Sequence, residues 1–448
     1  MFLRRVLGSE KAFIGLLAVL LLVPQFLTRL NRHTGFRPTG ARVCSGDEPH
    51  YLVLLNSLLN DGDLDLANNY ASVHQGSFEA GEAFAGSALD HHVVYYVGGE
   101  RHPWSEFYDP MLWKPDANGR PVPTPIRELP DELKGSQERS YHQPGSTLLL
   151  APVLFPFRGT RALEPVAILV SAFATFLGML AFRELARGYG LDGAIANTAT
   201  LVTCGCTPVL HYSRSFFNEA LLLGLGVGAY AFALVRGRYL LAAVLIAVGV
   251  QMKPPFLVLA LPLAADLLRN RRGKALLLML LPLAASVMGL LVFDWVFFGS
   301  PWRPPQPFLL GNWLDGIRGL VFSPDHGLFV FAPVAAIAAL AWPLAIRKRP
   351  RESYIIGSGF LVYFLTMAAY AVWQGGDCYG PRYLVPVIPL FMVPLGVALA
   401  WGLRCSRPAI LAMALICGLS LWLNLIAAVH YCGSFRWSPL KAVSLPFT

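Results

Sequence analysis

What most constrains this chain is a recurring pattern of mostly apolar stretches, many of them near the ~20 residues that an α-helix needs to cross a bilayer. They fall at 12–27, 162–182, 194–212, 216–235, 239–252, 254–268, 275–298, 327–346, 353–373, 383–403 and 408–429, eleven in all. Composition agrees: 55% of residues are hydrophobic and only 14% are charged, against about 25% charged in an ordinary soluble domain. The expected fold class is an all-α polytopic membrane protein with about eleven transmembrane helices and a large first extracytoplasmic loop. A net charge of +9 does not imply nucleic acid, because the basic residues are scattered between apolar runs and form no patch with interleaved aromatics.

The basic residues instead orient the chain. Arg4, Arg5 and Lys11 precede the first run and no small-residue cleavage site follows it, so residues 1–28 read as a retained signal anchor. With the N-terminus in the cytoplasm, seventeen Lys and Arg fall on the cytoplasmic side and five (Arg214, Lys253, Arg303, Arg318 and Arg382) in the short outer loops. That is the positive-inside asymmetry. The implied organisation is a signal anchor, an extracytoplasmic loop domain with interfacial helices over 29–145, a multi-span domain over 146–429 and a short outer tail over 430–448, in a plasma (inner) membrane. Runs 239–252 and 254–268 are short and separated by Lys253-Pro254-Pro255, a break that tilts a helix or lines a cavity.

The first loop opens on Cys44-Ser45-Gly46-Asp47-Glu48-Pro49-His50-Tyr51. Proline favours a first helical turn, and Tyr51, Leu52, Leu54, Leu55, Leu58 and Leu59 recur at spacings of three and four. An amphipathic helix is predicted, ending near Asn60-Asp61-Gly62, with His50, Val53, Asn56, Ser57 and Asn60 toward water and Asp47 and Glu48 ionised at its cap. On the plainest reading the two carboxylates do no more than cap it. Asp61-Gly62-Asp63-Leu64-Asp65 superficially resembles a calcium loop, but Leu66 stands where the sixth-position glycine belongs. His74, His91, His92, His102 and His142 show no metal-ligand spacing and read as solvated. Cys44, Cys378 and Cys432 all fall on the outer side, where one disulfide is possible and the pairing is open.

Three stretches together carry a family likeness: Gly46-Asp47-Glu48-Pro49-His50-Tyr51, Tyr141-His142-Gln143-Pro144-Gly145, and Trp373-Gln374-Gly375-Gly376-Asp377-Cys378-Tyr379-Gly380-Pro381-Arg382-Tyr383. In their order and shared outer-side placement the chain resembles the GT-C superfamily of integral-membrane glycosyltransferases, in the branch of protein O-mannosyltransferases and lipid A aminoarabinose transferases. The resemblance implies a polyprenyl-phosphate-linked sugar as donor, a first-loop aspartate assisting attack by a lipid, glycan or protein acceptor, and the bilayer as the remaining partner. The larger members carry a C-terminal soluble domain; here the chain ends soon after the eleventh run.

Such a transfer needs a carboxylate to deprotonate or orient the acceptor and cations to stabilise the departing phosphate. Asp47 is the expected base and Glu48 its positioning partner. Lys253 and Arg382, at the outer ends of predicted spans, are expected to hold the donor phosphate, with Tyr383, His142 and Arg214 in the same donor-binding role; the bland reading of these cations is snorkelling to the headgroups. Arg214 and Glu219 can pair. Tyr95, Tyr96, Trp104, Phe107, Tyr108 and Trp113 offer sugar-stacking faces or local packing. No cofactor and no metal site is expected, a divalent cation staying open. Transport or flipping of lipid-linked saccharides is the competing class, disfavoured because the Asp-Glu element has no repeat in the second half; a ligase of surface glycans would use the same donors.

Overall fold

The computed structural model describes residues 8–27, 29–30, 37–38, 43, 47–69, 92–97, 100–103, 106, 108–115, 121–125, 131–133, 136–160, 162–302, 304, 306–376, 378–402 and 407–430. The N-terminal run forms α1 (Glu10–Leu27). In the first loop lie α2 (Glu48–Asn56), continued by one π-helical turn over Ser57–Asp61, and α3 (Gly145–Leu154). Then come α4 (Leu163–Gly188), α5 (Gly193–Gly205), the single turn α6 (Val209–Tyr212), α7 (Asn218–Leu234), α8 (Tyr239–Met252), α9 (Ala260–Arg269) and α10 (Gly273–Phe298). The remainder is α11 (Trp313–Phe322), α12 (Leu328–Phe331), α13 (Val334–Lys348), α14 (Pro350–Ala368), α15 (Ile388–Gly402) and α16 (Arg407–Val429).

Helices therefore occupy every apolar run, and the chain is a helical membrane protein. Four described helices, α1, α4, α10 and α16, are long and apolar enough to cross a membrane, and α3, α7, α8 and α15 are apolar but shorter. Proline explains much of the shortening, because it lacks an N–H and pushes the residue before it out of the α region. Lys253, before Pro254, is extended at φ −151°, ψ 99°, and α8 gives way to a 3-10 segment over Pro254–Leu259. Ahead of Pro333, Ala332 sits at φ −140°, ψ 72°, which divides the run at 327–346 into α12 and α13. Hydropathy averages across such breaks.

The first loop holds more than interfacial helices. It contains three small antiparallel sheets among the described residues: β1 (Arg29–Leu30) with β2 (Arg37–Pro38), the three-stranded β4–β3–β7 made of β3 (Val93–Val97), β4 (Glu100–Pro103) and β7 (Gln137–Ser140), and β5 (Tyr108–Pro115) with β6 (Pro121–Pro125). The chain forms two compact units. A helical unit comprises Met1–Ala41, Leu169–Ala285 and Phe308–Thr448, and a loop unit comprises Arg42–Ile168 and Ser286–Pro307.

In the helical unit, α7 packs on α8 and α15 packs on α5 and α13. A Cβ at Gly224 would stand 2.8 Å from the Ala174 carbonyl oxygen, so glycine there lets α7 approach α4 closely. In the loop unit, α2 packs against α3. This overturns the amphipathic expectation for α2: every residue from Glu48 to Asn56 is buried, including His50 and Val53 on the face predicted to meet water. The helix stops where predicted, at Gly62 with φ +78°.

Candidate functional site

The loop unit brings two of the three sequence motifs together. Pairing of β3 with β7 sets Val93 opposite Ser140, and the Tyr141 N–H donates to the His92 carbonyl at 2.7 Å, extending the ladder by one step. His92 thus lies beside the Tyr141-His142 motif, while α2–α3 packing supplies Asp47 and His50 from the other side. His92 Nδ1 and His142 Nε2 are hydrogen-bonded at 2.9 Å, and Asp47 Oδ1 is 3.9 Å from His92 Nδ1. The His50 ring centroid is 4.0 Å from that of His92, and the Tyr51 ring is 4.6 Å from His142.

Asp47 occupies the N-cap position of α2 but does not cap. Its backbone is helical (φ −77°, ψ −17°), its side chain accepts no helix N–H, and only its carbonyl enters the helix, accepting from the Tyr51 N–H at 3.0 Å. The side chain stays 16% exposed next to imidazoles while Glu48, one residue on, is wholly buried. The capping reading is thereby excluded for Asp47. Burial raises the pKa of Tyr141, with a contribution from Asp47 that Arg101 opposes, so the phenol stays protonated.

The reading of His92 and His142 as solvated is corrected in the same stroke. His142 is buried, and its N–H donates to Ser140 Oγ at 3.0 Å. Asp47, His92 and His142 each offer a ligand atom, and these atoms lie within 4.8 Å of one another. A carboxylate oxygen with two imidazole nitrogens is a donor set that suits zinc and similar cations. By contrast Asp61 and Asp63 are engaged inside their own turn: Asp61 Oδ2 accepts from Asn68 and Asn69, and Asp63 Oδ1 from Ser57 Oγ and the Asp65 N–H.

The third motif contributes to a separate cluster in the helical unit. Glu219, 3% exposed at the start of α7, accepts from Lys253 Nζ at 3.0 Å and pairs with Arg382 Nε at 3.4 Å. Lys253 Nζ lies 4.0 Å from the centre of the Tyr383 ring, and the Arg382 guanidinium packs on Phe217 and Tyr383 at 4.8 and 5.0 Å. Neither cation reaches out to the surface: Lys253 is 20% and Arg382 8% exposed, which argues against plain snorkelling. Gly375, at φ +79°, closes on this cluster; a Cβ there would stand 3.5 Å from Arg382 Nε. Arg214 is almost wholly buried just beyond α6, and the neighbouring Tyr212 hydroxyl donates to the Tyr379 carbonyl at 2.9 Å.

Sequence reading missed His50, His92 and Glu219. Nothing in the spacing of His92 and His142 marks them, because a strand ladder joins residues fifty apart. Glu219 did carry a signal, an acid at the head of an apolar run. Cys378 is buried, its thiol donating to the Gln374 carbonyl at 3.2 Å, whereas Cys44 and Cys432 lie outside the described residues. Of the aromatic set, Tyr95 is buried, Tyr96 packs over Arg139, Trp104 and Phe107 lie outside the described residues, and the side chains of Tyr108 and Trp113 are not described.

No protein-family model and no curated protein matches the sequence. Solved structures do match. The oligosaccharyltransferase of Archaeoglobus fulgidus in complex with Zn and sulfate is similar at a TM-score of 0.50 and 14% identity, over 95% of this chain and 53% of that one, so this chain spans about half its length. ArnT of Cupriavidus metallidurans bound to undecaprenyl phosphate aligns at a TM-score of 0.49 and 16% identity, over 95% of this chain and 74% of that one. The likeness to the archaeal structure shows that this chain shares its fold.

Proposed function

We propose that this chain is a membrane glycosyltransferase that moves a sugar from a polyprenyl-phosphate-linked donor to an extracytoplasmic acceptor, with Asp47 as the base. The observation that carries this reading is the state of Asp47: a carboxylate at a helix start that spends nothing on capping and instead lies against hydrogen-bonded imidazoles. In the proposed step Asp47 takes the proton from an acceptor hydroxyl, the acceptor oxygen bonds to the anomeric carbon, and the anomeric carbon–oxygen bond breaks to release polyprenyl phosphate. His92 and Glu48 act as positioning residues, since His92 reaches Asp47 and Glu48 holds the first turn from inside.

Lys253 and Arg382 are proposed to take the phosphate charge, with Tyr383 beneath both and Arg214 and His142 as further donor contacts. Two cations, Lys253 and Arg382, converge on one Glu219 carboxylate. Two converging cations suit a phosphate, and Arg382 adds a planar fork. Asp47, His92 and His142 further fit a divalent cation, which when bound would supply Lewis-acid stabilisation of an oxyanion. The 2.9 Å contact joins the two nitrogens that would ligate the ion, so loading it would break this hydrogen bond and require the donating imidazole to carry its proton on the other nitrogen. The archaeal oligosaccharyltransferase was crystallised with Zn and sulfate, ligands of these two chemical kinds.

The proposed topology is eleven spans with the N-terminus inside and Asp47 outside, supported by the distribution of Lys and Arg. A cysteine introduced at Asn118 should react with an impermeant thiol reagent in intact cells and one at Gly273 should not; the reverse pattern contradicts it. The activity itself is tested in liposomes holding the full chain and a labelled polyprenyl-phosphate sugar. Acceptor-dependent release of polyprenyl phosphate is expected, whereas movement of intact donor between leaflets without release would assign a transporter.

A further inference from the structure

Three turns of the helical unit carry most of its unpaired cations, and one buried carboxylate draws them together. α7 ends at Leu234 and α8 begins at Tyr239, α9 ends at Arg269 and α10 begins at Gly273, and a single residue, Arg349, separates α13 from α14. Asp266, on α9, accepts from Arg351 Nε at 2.9 Å and Nη2 at 2.7 Å, from the Tyr239 hydroxyl at 2.8 Å and from Asn270 Nδ2 at 2.9 Å. Each partner adjoins one of the turns, so the three lie side by side. Arg351 is neutralised by Asp266. Its neighbours are not: Arg269, Arg271, Arg272 and Lys274 are exposed, as are the basic residues at 347–349, and no ion pair among the described residues holds any of them. Glu352 is the only acid within 269–274 and 347–352.

Orientation of the chain accounts for basic residues in such turns, but not for where Arg271 stands. α9 closes with the Arg271 N–H donating to the Leu268 carbonyl at 3.0 Å and the Arg272 N–H to the Leu267 carbonyl at 2.9 Å, the paired bonds of a Schellman ending. The residue after the cap must then be left-handed, and glycine is the usual choice. Here it is Arg271, at φ +53°, the one non-glycine residue at positive φ among the described residues. Glycine would make the same turn without strain, so the sequence keeps a charge at the tip on a strained backbone. The flanks of the turn are apolar and open: Leu268 is 63% and Leu277 61% exposed. Cations on the rim of an apolar flank match an amphiphile, and turns of one to four residues do not rise past the head groups to meet a soluble polyanion. We infer that the α9–α10 and α13–α14 turns together bind the phosphate of an anionic phospholipid, whose chains run along Leu268 and Leu277. The site shares no residue with the Asp47 cluster or with Lys253 and Arg382. The topology proposed above assigns it to the cytoplasmic leaflet; the binding itself requires neither that topology nor the transferase reading.

The test uses the full chain in neutral detergent, with phosphatidylglycerol and phosphatidylcholine of identical chains as probes and native mass spectrometry to read their retention. Wild type should hold phosphatidylglycerol the more tightly, and Arg271→Gly combined with Arg272→Gln should weaken it by about fivefold for each charge removed, the scale of one basic residue at an anionic surface. Arg271→Gly alone should melt at or slightly above the wild-type temperature, because the strain is relieved while the charge is lost. A purely structural Arg271 would give the opposite, a lower melting temperature with retention unchanged. Equal retention of the two lipids by wild type, an arm that needs no variant to fold, would overturn the site, as would undiminished retention in the folded double variant. Glycerol phosphate competing as well as phosphatidylglycerol would overturn the amphiphile, and displacement by polyglutamate would assign an acidic protein instead. Arg382→Lys should retain the lipid as wild type does; a fall there in place of the turn variant would move the lipid to the Glu219 cluster and overturn the proposal. Retention requires no turnover, so failure here leaves the Asp47 chemistry standing.

Discussion

The two units solve opposite electrostatic problems. In the loop unit a part-exposed carboxylate, Asp47, lies close to two imidazoles, His92 and His142. In the helical unit a buried carboxylate, Glu219, is paired with two cations, Lys253 and Arg382. On the proposed function, the comparison assigns proton chemistry to one unit and anion holding to the other. It also explains why the Asp-Glu pair at 47–48 is not a pair of equals: Glu48 is fully buried in α2, whereas Asp47 points into the histidine cluster.

The largest effect should come from breaking the helical-unit balance. Glu219→Ala removes the carboxylate that Lys253 and Arg382 both pair with, and loss of one partner of a buried ion pair costs about 3–5 kcal/mol. Thermal unfolding in detergent should show a severe loss of stability, while the loop-unit equivalent, Asp47→Asn, should melt like wild type because no capping bond is lost. Equal melting of both variants would erase the contrast.

Next in size is the histidine cluster. His92→Ala removes the group that joins Asp47 to His142 and should lower turnover about 10–100-fold, the usual scale for an outer partner of a metal or catalytic group. A chelator that reproduces this loss in the wild type, with recovery on adding back Zn or Mn, would show that the cluster works through a cation. Indifference to chelation would leave His92 as a positioning residue for a metal-free base.

A smaller effect is expected from Arg382→Lys. Charge is retained but the planar fork is lost, so the affinity for a polyprenyl phosphate should fall by about tenfold, one charge-assisted hydrogen bond. Stability should change little, since lysine can still face Glu219. Unchanged lipid-phosphate binding in this variant and in Lys253→Ala would remove the cluster from donor recognition.

Much of the scaffold was legible in the sequence because membrane helices announce themselves by length and hydropathy. The runs at 162–182 and 275–298 reappear as α4 and α10, and the Lys253-Pro254-Pro255 break is a real break. The division at Ala332-Pro333 was not legible, since the residues on both sides are equally apolar. Asp47, Lys253 and Arg382 were singled out in the sequence as charges beside apolar runs. Their neighbours were not, for physical reasons. His92 reaches the site through a strand ladder within a loop whose strands are short and polar, and His50 faces the site only because α2 is buried on all sides, which its moderate apolar spacing did not require. Glu219 was visible as an ionisable residue, but its partners come from a helix break and a loop far along the chain.

The central claim is that Asp47 performs chemistry and does not cap its helix, and it is tested by measuring turnover and donor binding on one preparation of Asp47→Asn. Asparagine is nearly isosteric and cannot act as a base. Transfer from a polyprenyl-phosphate sugar should fall by about a hundredfold to ten-thousandfold, the range for lost general-base assistance, while the melting temperature and the affinity for polyprenyl phosphate stay at wild-type values. Near-normal turnover in a folded Asp47→Asn protein would contradict the account.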